Sequence, residues 1–466
     1  MKIIIKKNNI KILITQLIVF IILNVCLIVS DFTLEVWSPI LVFVFIQALV
    51  ISIYGGFLNL LQVYLFFVFL FNLVIPFLIM INIYEYPAGN RIMASDGIKM
   101  PLSDRVIAET YAAISFSLIG ISLGWVVSKI SLPTSIKVLK QKKEGLIDIV
   151  FYIFWCLNII NSILMVQRAN EIGYIAAIHL REGNSTISQL LLIFTILYNL
   201  IGSIFIFKSD TSLNYIKRAL LFILPYLILS VSGARGTTIA ISFSLIVLYQ
   251  YWYHVFKVRY FFLLIIFFFI TGVFIGASRF DYYSIDGLDI FLDPSLILYS
   301  LISTGSSIGV IAYTISLENE FFNKVPFFFG YIEAIFSFAS NYTEEGLRNK
   351  SYLAQHLMYL LDRESFFNGS TIGSALVAEL YELSHGILPI ISILSFFIIF
   401  IGSILLRKST QSPLFFYICL TYISVLMISP RDSVMRIIDK EFIFSIIIYL
   451  IFFFIKILKN HLIKLP

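Results

Sequence analysis

ALLFILPYLILSVSGARGTTIAISFSLIVLYQYWYHVF, residues 219–256, decides the fold class. Two apolar runs meet at Ser232-Gly233-Ala234-Arg235-Gly236-Thr237-Thr238. As a helix, the uncharged run 219–234 rises about 24 Å, against a hydrocarbon core roughly 30 Å thick. The stretch therefore reads as a helical hairpin in a bilayer, with Arg235 at or slightly below the interface. A charge there costs energy and marks a functional site by default. Gly233 and Gly236 let backbone approach a ligand closely. Thr237 and Thr238 open the next helix, whose free N–H groups favour an anion.

The same pattern recurs outward in both directions. The chain is 59% hydrophobic and 13% charged, with a mean hydropathy of +0.96; a soluble domain carries about 25% charge. Apolar blocks lie at 12–30, 39–54, 58–81, 106–128, 147–167, 188–207, 219–233, 237–256, 260–277, 387–406, 413–429 and 441–457. The expected fold is an all-α integral membrane protein of about 12 transmembrane helices. It divides into a membrane domain 1–277 with spans one to nine, a large external loop of short helices 278–386, and a membrane domain 387–466 with spans ten to twelve. The basic N-terminus followed by an apolar run resembles a signal peptide, but no small-residue cleavage site follows Ser30, so it reads as the first span.

Charge tests this division. With the N-terminus inside, the cytoplasmic pieces hold 16 of the 20 lysines and 3 of the 27 acidic residues. The opposite side holds 24 acids, 4 lysines and 10 of the 13 arginines. Retention of basic residues in the cytoplasm gives this asymmetry and puts both termini inside. The net charge of +6 reflects topology, not nucleic-acid binding. Leu296–Ile315, broken by Ser303-Thr304-Gly305-Ser306-Ser307, reads as a helix lying on or dipping into the outer leaflet, since a further crossing would invert the basic ends downstream.

The outer face is acidic, yet its few basic residues are mainly arginine. A guanidinium grips phosphate in pairs of hydrogen bonds and keeps its charge. Beside Arg235, this selects Arg279 in Ser278-Arg279-Phe280-Asp281, and Arg431 and Arg436 in Pro430-Arg431-Asp432-Ser433-Val434-Met435-Arg436. Asp281, Asp432 and Asp439 stand close enough in sequence to neutralise them. Glu379, in Gly369-Ser370…Gly373-Ser374…Glu379-Leu380-Tyr381, sits on an apolar background where a raised pKa would suit a general base; a hydrogen-bonded structural carboxyl is the alternative. His179, His356 and His385 are further base candidates. No metal-ligand pattern and no nucleotide-binding glycine motif is present, so no cofactor is expected. Cys26, Cys156 and Cys419 lie in apolar blocks and read as packing residues.

These residues resemble those of the Wzy family of O-antigen and repeat-unit polysaccharide polymerases. The likeness rests on the apolar run ending in Ser-Gly-Ala-Arg235-Gly, on Ser278-Arg279, on the Gly-Ser stretch leading to Glu379-Leu-Tyr, and on Pro430-Arg431 before the last span. The layout of many spans with one large outer loop in the second half is also similar. The resemblance implies a C-type membrane glycosyltransferase fold at the outer face of the bacterial cytoplasmic membrane. Its substrate would be an oligosaccharide on undecaprenyl pyrophosphate, and a chain-length regulator is a conceivable partner. On that reading Arg235, Arg279, Arg431 and Arg436 would hold pyrophosphate, Glu379 or His356 would take the acceptor proton, and Tyr282, Tyr283 and Tyr381 would line a sugar groove. A glycan ligase of the same superfamily and a repeat-unit flippase are the rival readings. The flippase suits twelve spans, but the halves are unlike and the charges sit at the membrane edge.

Overall fold

Without water in the bilayer a spanning segment must satisfy its own backbone hydrogen bonds, which a helix does. The regular structure among the described residues is helical, without a strand. The computed structural model describes residues 7–53, 58–84, 100–131, 145–172, 186–231, 235–253, 298, 301–302, 304–335, 342–439 and 442–451. The first group of helices is α1 (Lys7–Val29), α2 (Leu34–Ile53), α3 (Leu60–Met80), α4 (Asp104–Ser131), α5 (Gly145–Ile172), α6 (Thr186–Phe207), α7 (Ser212–Val231) and α8 (Arg235–Tyr253). Short helices follow: α9 (Ile308–Ser316), α10 (Gly330–Ile335), α11 (Glu344–Asn349), α12 (Leu353–Leu361), α13 (Arg363–Phe367) and α14 (Leu376–Leu383). Then come α15 (Leu388–Lys408), α16 (Pro413–Ile428), a 3-10 turn Val434–Ile438, and a helix over 442–451.

Among the described residues, seven helices are long and apolar enough to cross a membrane, and the apolar helices Ile193–Phe207 and Pro413–Ile428 are shorter. Every expected span except the ninth coincides with a described helix, the twelfth in part. The ninth, 260–277, lies outside the described residues. α1 and α5 leave Ile14, Ile18, Ile21, Ile149, Ile153 and Ile160 exposed, as lipid-facing helices do.

α4 is the hub, 89% buried across its most apolar window, and it packs on α1, α2 and α15. Its glycines explain the closest of these contacts. A Cβ on Gly120 would stand 2.0 Å from the Ser392 carbonyl oxygen, and one on Gly124 would stand 2.4 Å from that of Phe396. This Gly-x-x-x-Gly seam lets two backbones meet. Ser117 Oγ and Ser395 Oγ bond across it at 2.9 Å, and Ser392 Oγ donates to the Phe116 carbonyl at 2.5 Å. Gly120 faces 392 and Gly124 faces 396, so α4 and α15 run parallel. α8 and α16 run antiparallel, with Ser424 Oγ donating to Ser244 Oγ at 3.0 Å and Trp252 Nε1 donating at 3.1 Å to Ser409 Oγ, which lies in the turn between α15 and α16.

The stretch expected to lie on or dip into the leaflet is instead wedged into the protein. Ile308 through Ile315 are all buried, against α4 and α14. Gly305 faces Val74 and Ile75 of α3. A helix that is apolar all round belongs in a core.

Candidate functional site

The site forms where three segments, distant in sequence, close over one end of the helices. The first N–H of α14, on Leu376, donates to the Ser429 carbonyl at 2.8 Å. Gly373, at φ +86°, turns its Cα towards the Arg431 carbonyl, where a Cβ would stand at 3.3 Å. Between these two contacts lies Glu379, 2% exposed. Ser374 Oγ donates to Glu379 Oε1 at 2.7 Å, and Ser433 Oγ donates to Oε2 at 2.8 Å. Burial pushes the Glu379 carboxyl up to about 8, against the pull of both serines, and Asp432 and Glu382 add to the rise. Both oxygens are taken, so this carboxyl ties the 370s segment to the last loop.

Arg431 stands at the rim, exposed, its guanidinium carbon 5.7 Å from the centre of the Phe71 ring. Phe71 belongs to a π-helical turn, Phe69–Leu73, inside α3; such turns recur at functional sites. The next residue, Asn72, is 1% exposed, and its amide is satisfied when its nitrogen is the atom facing two carbonyls, donating to Phe71 at 3.1 Å and to Pro430 at 3.0 Å. The π-turn thus holds the backbone immediately before Arg431. Asp432 Oδ2 bonds Arg436 Nη1 at 2.6 Å, and Asp432 Oδ1 accepts from the Ser433 N–H at 2.8 Å. The Asp432 carboxylate holds the Arg436 guanidinium protonated above its ordinary range. Tyr331 of α10 lies beside this pair, its phenol pushed up by burial and by Asp432. Its ring is 4.8 Å from that of Tyr352.

Arg235 opens α8. From the Ser244–Ser424 contact, Arg235 is nine residues back along α8 and Arg431 is seven residues beyond on the α16 side. At a helical rise these are about 13 Å and about 10 Å towards the same end. Thr238 Oγ1 donates to the Tyr226 carbonyl at 2.8 Å, which locks α7 to α8. A Cβ on Gly236 would meet nothing within 4 Å. Arg279, Tyr282, Tyr283 and His179 lie outside the described residues.

Two candidates are placed differently from the sequence expectation. His356 is fully buried between Phe322 and Phe327, with ring centroids at 4.9 and 5.1 Å, and the Leu347 and Lys350 backbone stands beside it. Burial holds it down at about 4. A neutral, enclosed imidazole packs as an aromatic ring and is poorly suited to act as a base. Tyr381, expected in a sugar groove, is 4% exposed and donates its phenol to Glu109 Oε1 at 2.6 Å, joining α14 to α4. Glu382 accepts from Asn323 Nδ2 at 3.0 Å and from the Phe327 N–H at 3.1 Å, anchoring the segment before α10. Among the described residues no group of His, Cys, Asp or Glu is placed to hold a metal ion.

Sequence reasoning missed Asn72 and the bonds that Ser374 and Ser433 make to Glu379; Tyr331 falls within the tyrosines of 281–383 expected to line a sugar groove. Asn72 left one readable signal, a single amide in the otherwise apolar run 63–81. Ser374 and Ser433 stand in stretches the sequence singles out, but nothing marks them as partners of Glu379, because serine is common throughout these helices.

A family model described as O-antigen polysaccharide polymerase Wzy matches residues 9–461, nearly the whole chain. No curated protein and no solved structure matches it.

Proposed function

Because the chain belongs to the O-antigen polysaccharide polymerase Wzy family, we propose that its polymerising site is the rim formed by Arg431, Asp432 and the first turn of α8. The donor in this reading is a growing glycan on undecaprenyl pyrophosphate, met at the outer face of the bacterial cytoplasmic membrane. The acceptor is the terminal sugar of a new lipid-linked repeat. An acceptor hydroxyl oxygen bonds to the anomeric carbon of the donor, and the bond from that carbon to pyrophosphate oxygen breaks. Undecaprenyl pyrophosphate leaves with the electron pair.

Charge grows on the leaving pyrophosphate, so fixed guanidinium groups at its position lower the barrier. Arg431 and Arg235 take this role. The observation that carries the reading is their placement: an exposed arginine braced on the π-turn of α3, and a second arginine opening α8 at the same end of the bundle. Arg279 is assigned to the same pyrophosphate on sequence grounds alone. Asp432, at 24% side-chain exposure, is the carboxylate that an acceptor hydroxyl can reach, and we assign it the proton. Arg436 holds Asp432 in place. Glu379 positions the loop that carries both.

The test is glycan length in cells that lack the native gene and carry variants. Arg431→Ala and Asp432→Asn should each leave single repeats and no ladder, with normal protein levels. Arg431→Lys should give short chains, because an ammonium keeps the charge and loses the two-pronged grip. A full ladder from Arg431→Ala would overturn the assignment.

A further inference from the structure

Phe322 and Phe367 are 42% and 50% exposed, while the neighbouring Phe366 is fully buried. One tyrosine stands between the two exposed rings. The Tyr359 ring, itself buried, is set edge-on to both, with centroids 5.8 Å from Phe322 and 6.2 Å from Phe367. Its phenol donates to Glu344 Oε1 at 3.1 Å and accepts from Arg363 Nη2. The Arg363 guanidinium carbon also lies 4.5 Å from the centre of the Tyr359 ring. Arg363 and Glu344 are exposed, and neither makes an ion pair among the described residues.

A single exposed apolar side chain needs no explanation, but two rings gathered around a fixed guanidinium and a fixed carboxylate do. Binding sites combine aromatic walls with a few placed polar groups in this way. A guanidinium only donates hydrogen bonds and a carboxylate only accepts them, whereas a hydroxyl does both. The ligand that suits every member has apolar faces edged by hydroxyls, and a pyranose ring has that form. Lipid tails would meet two charges here at a cost. The patch also continues from the arginine rim. Tyr352, which caps α12, stacks at 4.8 Å from Tyr331, the neighbour of Asp432 and Arg436. Tyr359 follows seven residues later, about 10 Å along α12.

We propose that Phe322, Arg363 and Phe367, gathered around Tyr359, hold a sugar ring of the growing glycan away from the rim, so that the strand stays on the protein between additions. This second glycan site rests on the polymerising site proposed above, and its loss has a different signature.

The test is a titration of the purified full chain in detergent with the polymer that wild-type cells make, released from its lipid by mild acid. The wild type should bind it. Phe322→Ala, Phe367→Ala and Arg363→Ala should each weaken binding about fivefold, and Phe367→Tyr should restore it. Arg348→Ala, at an exposed arginine one turn along α11 from Glu344, should change nothing. Size-exclusion profiles matching the wild type establish that the variants are folded. In cells the Phe322→Ala, Phe367→Ala pair should keep a ladder but shift it to shorter chains, whereas failure of the rim removes the ladder. No binding by the wild type, or unchanged binding and chain length in that pair, overturns the second site and leaves the rim standing. A bilayer contact would overturn it as well: in nanodiscs of brominated lipid, emission from Phe367→Trp, with the wild-type signal subtracted, should be unquenched.

Discussion

A carboxyl buried between Ser374 and Ser433 and pushed up to about 8 is largely protonated at neutral pH. In a state where the loops part, Glu379 returns to its ordinary 4.5. The closed state therefore binds the proton more tightly. Its contribution to stability is complete below about 4.5, falls as pH rises towards 8, and is constant beyond. His356 has the opposite sign: held at about 4 against an ordinary 6.5, its contribution is complete above 6.5 and is lost as pH falls towards 4. Between pH 6.5 and 8 the Glu379 slope is free of the histidine. Glu379→Gln keeps the shape without ionising, so its melting temperature in detergent should vary less over that range than that of the wild type. It should also keep the glycan ladder, whereas Glu379→Ala should cost about 3 kcal/mol and shorten the ladder. A folded Glu379→Gln without polymer would return the proton-accepting role to Glu379. At this scale the sequence exposed the charged members of the site, because a charge in an apolar chain is conspicuous. It concealed their partners, because Ser433, a buried hydroxyl bonded to Glu379, looks like any other serine.

Helices were legible in proportion to how much lipid dictates their sequence. α15 and α16 begin and end within two residues of the apolar blocks that announce them. α7 starts seven residues before its apolar block, at Ser212. Its first turns look like a loop because Asn214, Lys217 and Arg218 are polar. Yet Thr211 Oγ1 caps the Asn214 N–H at 3.2 Å, and Arg218 donates to the Phe205 carbonyl at 2.5 Å. The π-turn in α3 has no signature in hydropathy, since one extra residue in a turn leaves the composition unchanged. The Gly120–Gly124 seam was present in the sequence as Gly-x-x-x-Gly and gains its meaning from the facing Ser392 and Phe396 backbone. Gly120→Ala would set a methyl carbon 2.0 Å from a carbonyl oxygen that cannot rotate away. Prising α4 from α15 should cost about 1–3 kcal/mol, read as a lower melting temperature and a reduced yield of folded protein. Gly145→Ala, with nothing within 4 Å of its Cβ, should leave both unchanged.

For the molecule as a whole, the parallel run of α4 and α15 puts Glu379, Arg431 and the first turns of both helices at one end, and Lys129, Arg407 and Lys408 at the other. Which end meets the cytoplasm follows from physics external to the protein: lysine-rich segments are held back during insertion. On that rule the lysine-rich end is expected inside and the Arg431 rim outside, where a lipid-linked glycan would meet it. Two exposed lysines report on this directly. Lys324 lies beside Asn323, which is bonded to Glu382 at the rim end, and Lys217 lies at the other end beside Arg218 and its partner Asp148. With Cys26, Cys156 and Cys419 replaced by serine or alanine, a single cysteine at 324 should react with a membrane-impermeant maleimide in intact cells. One at 217 should react only after permeabilisation. The reverse pattern would put the arginine rim in the cytoplasm, away from any externally displayed donor, and the polymerising site would have to be sought at the lysine-rich end.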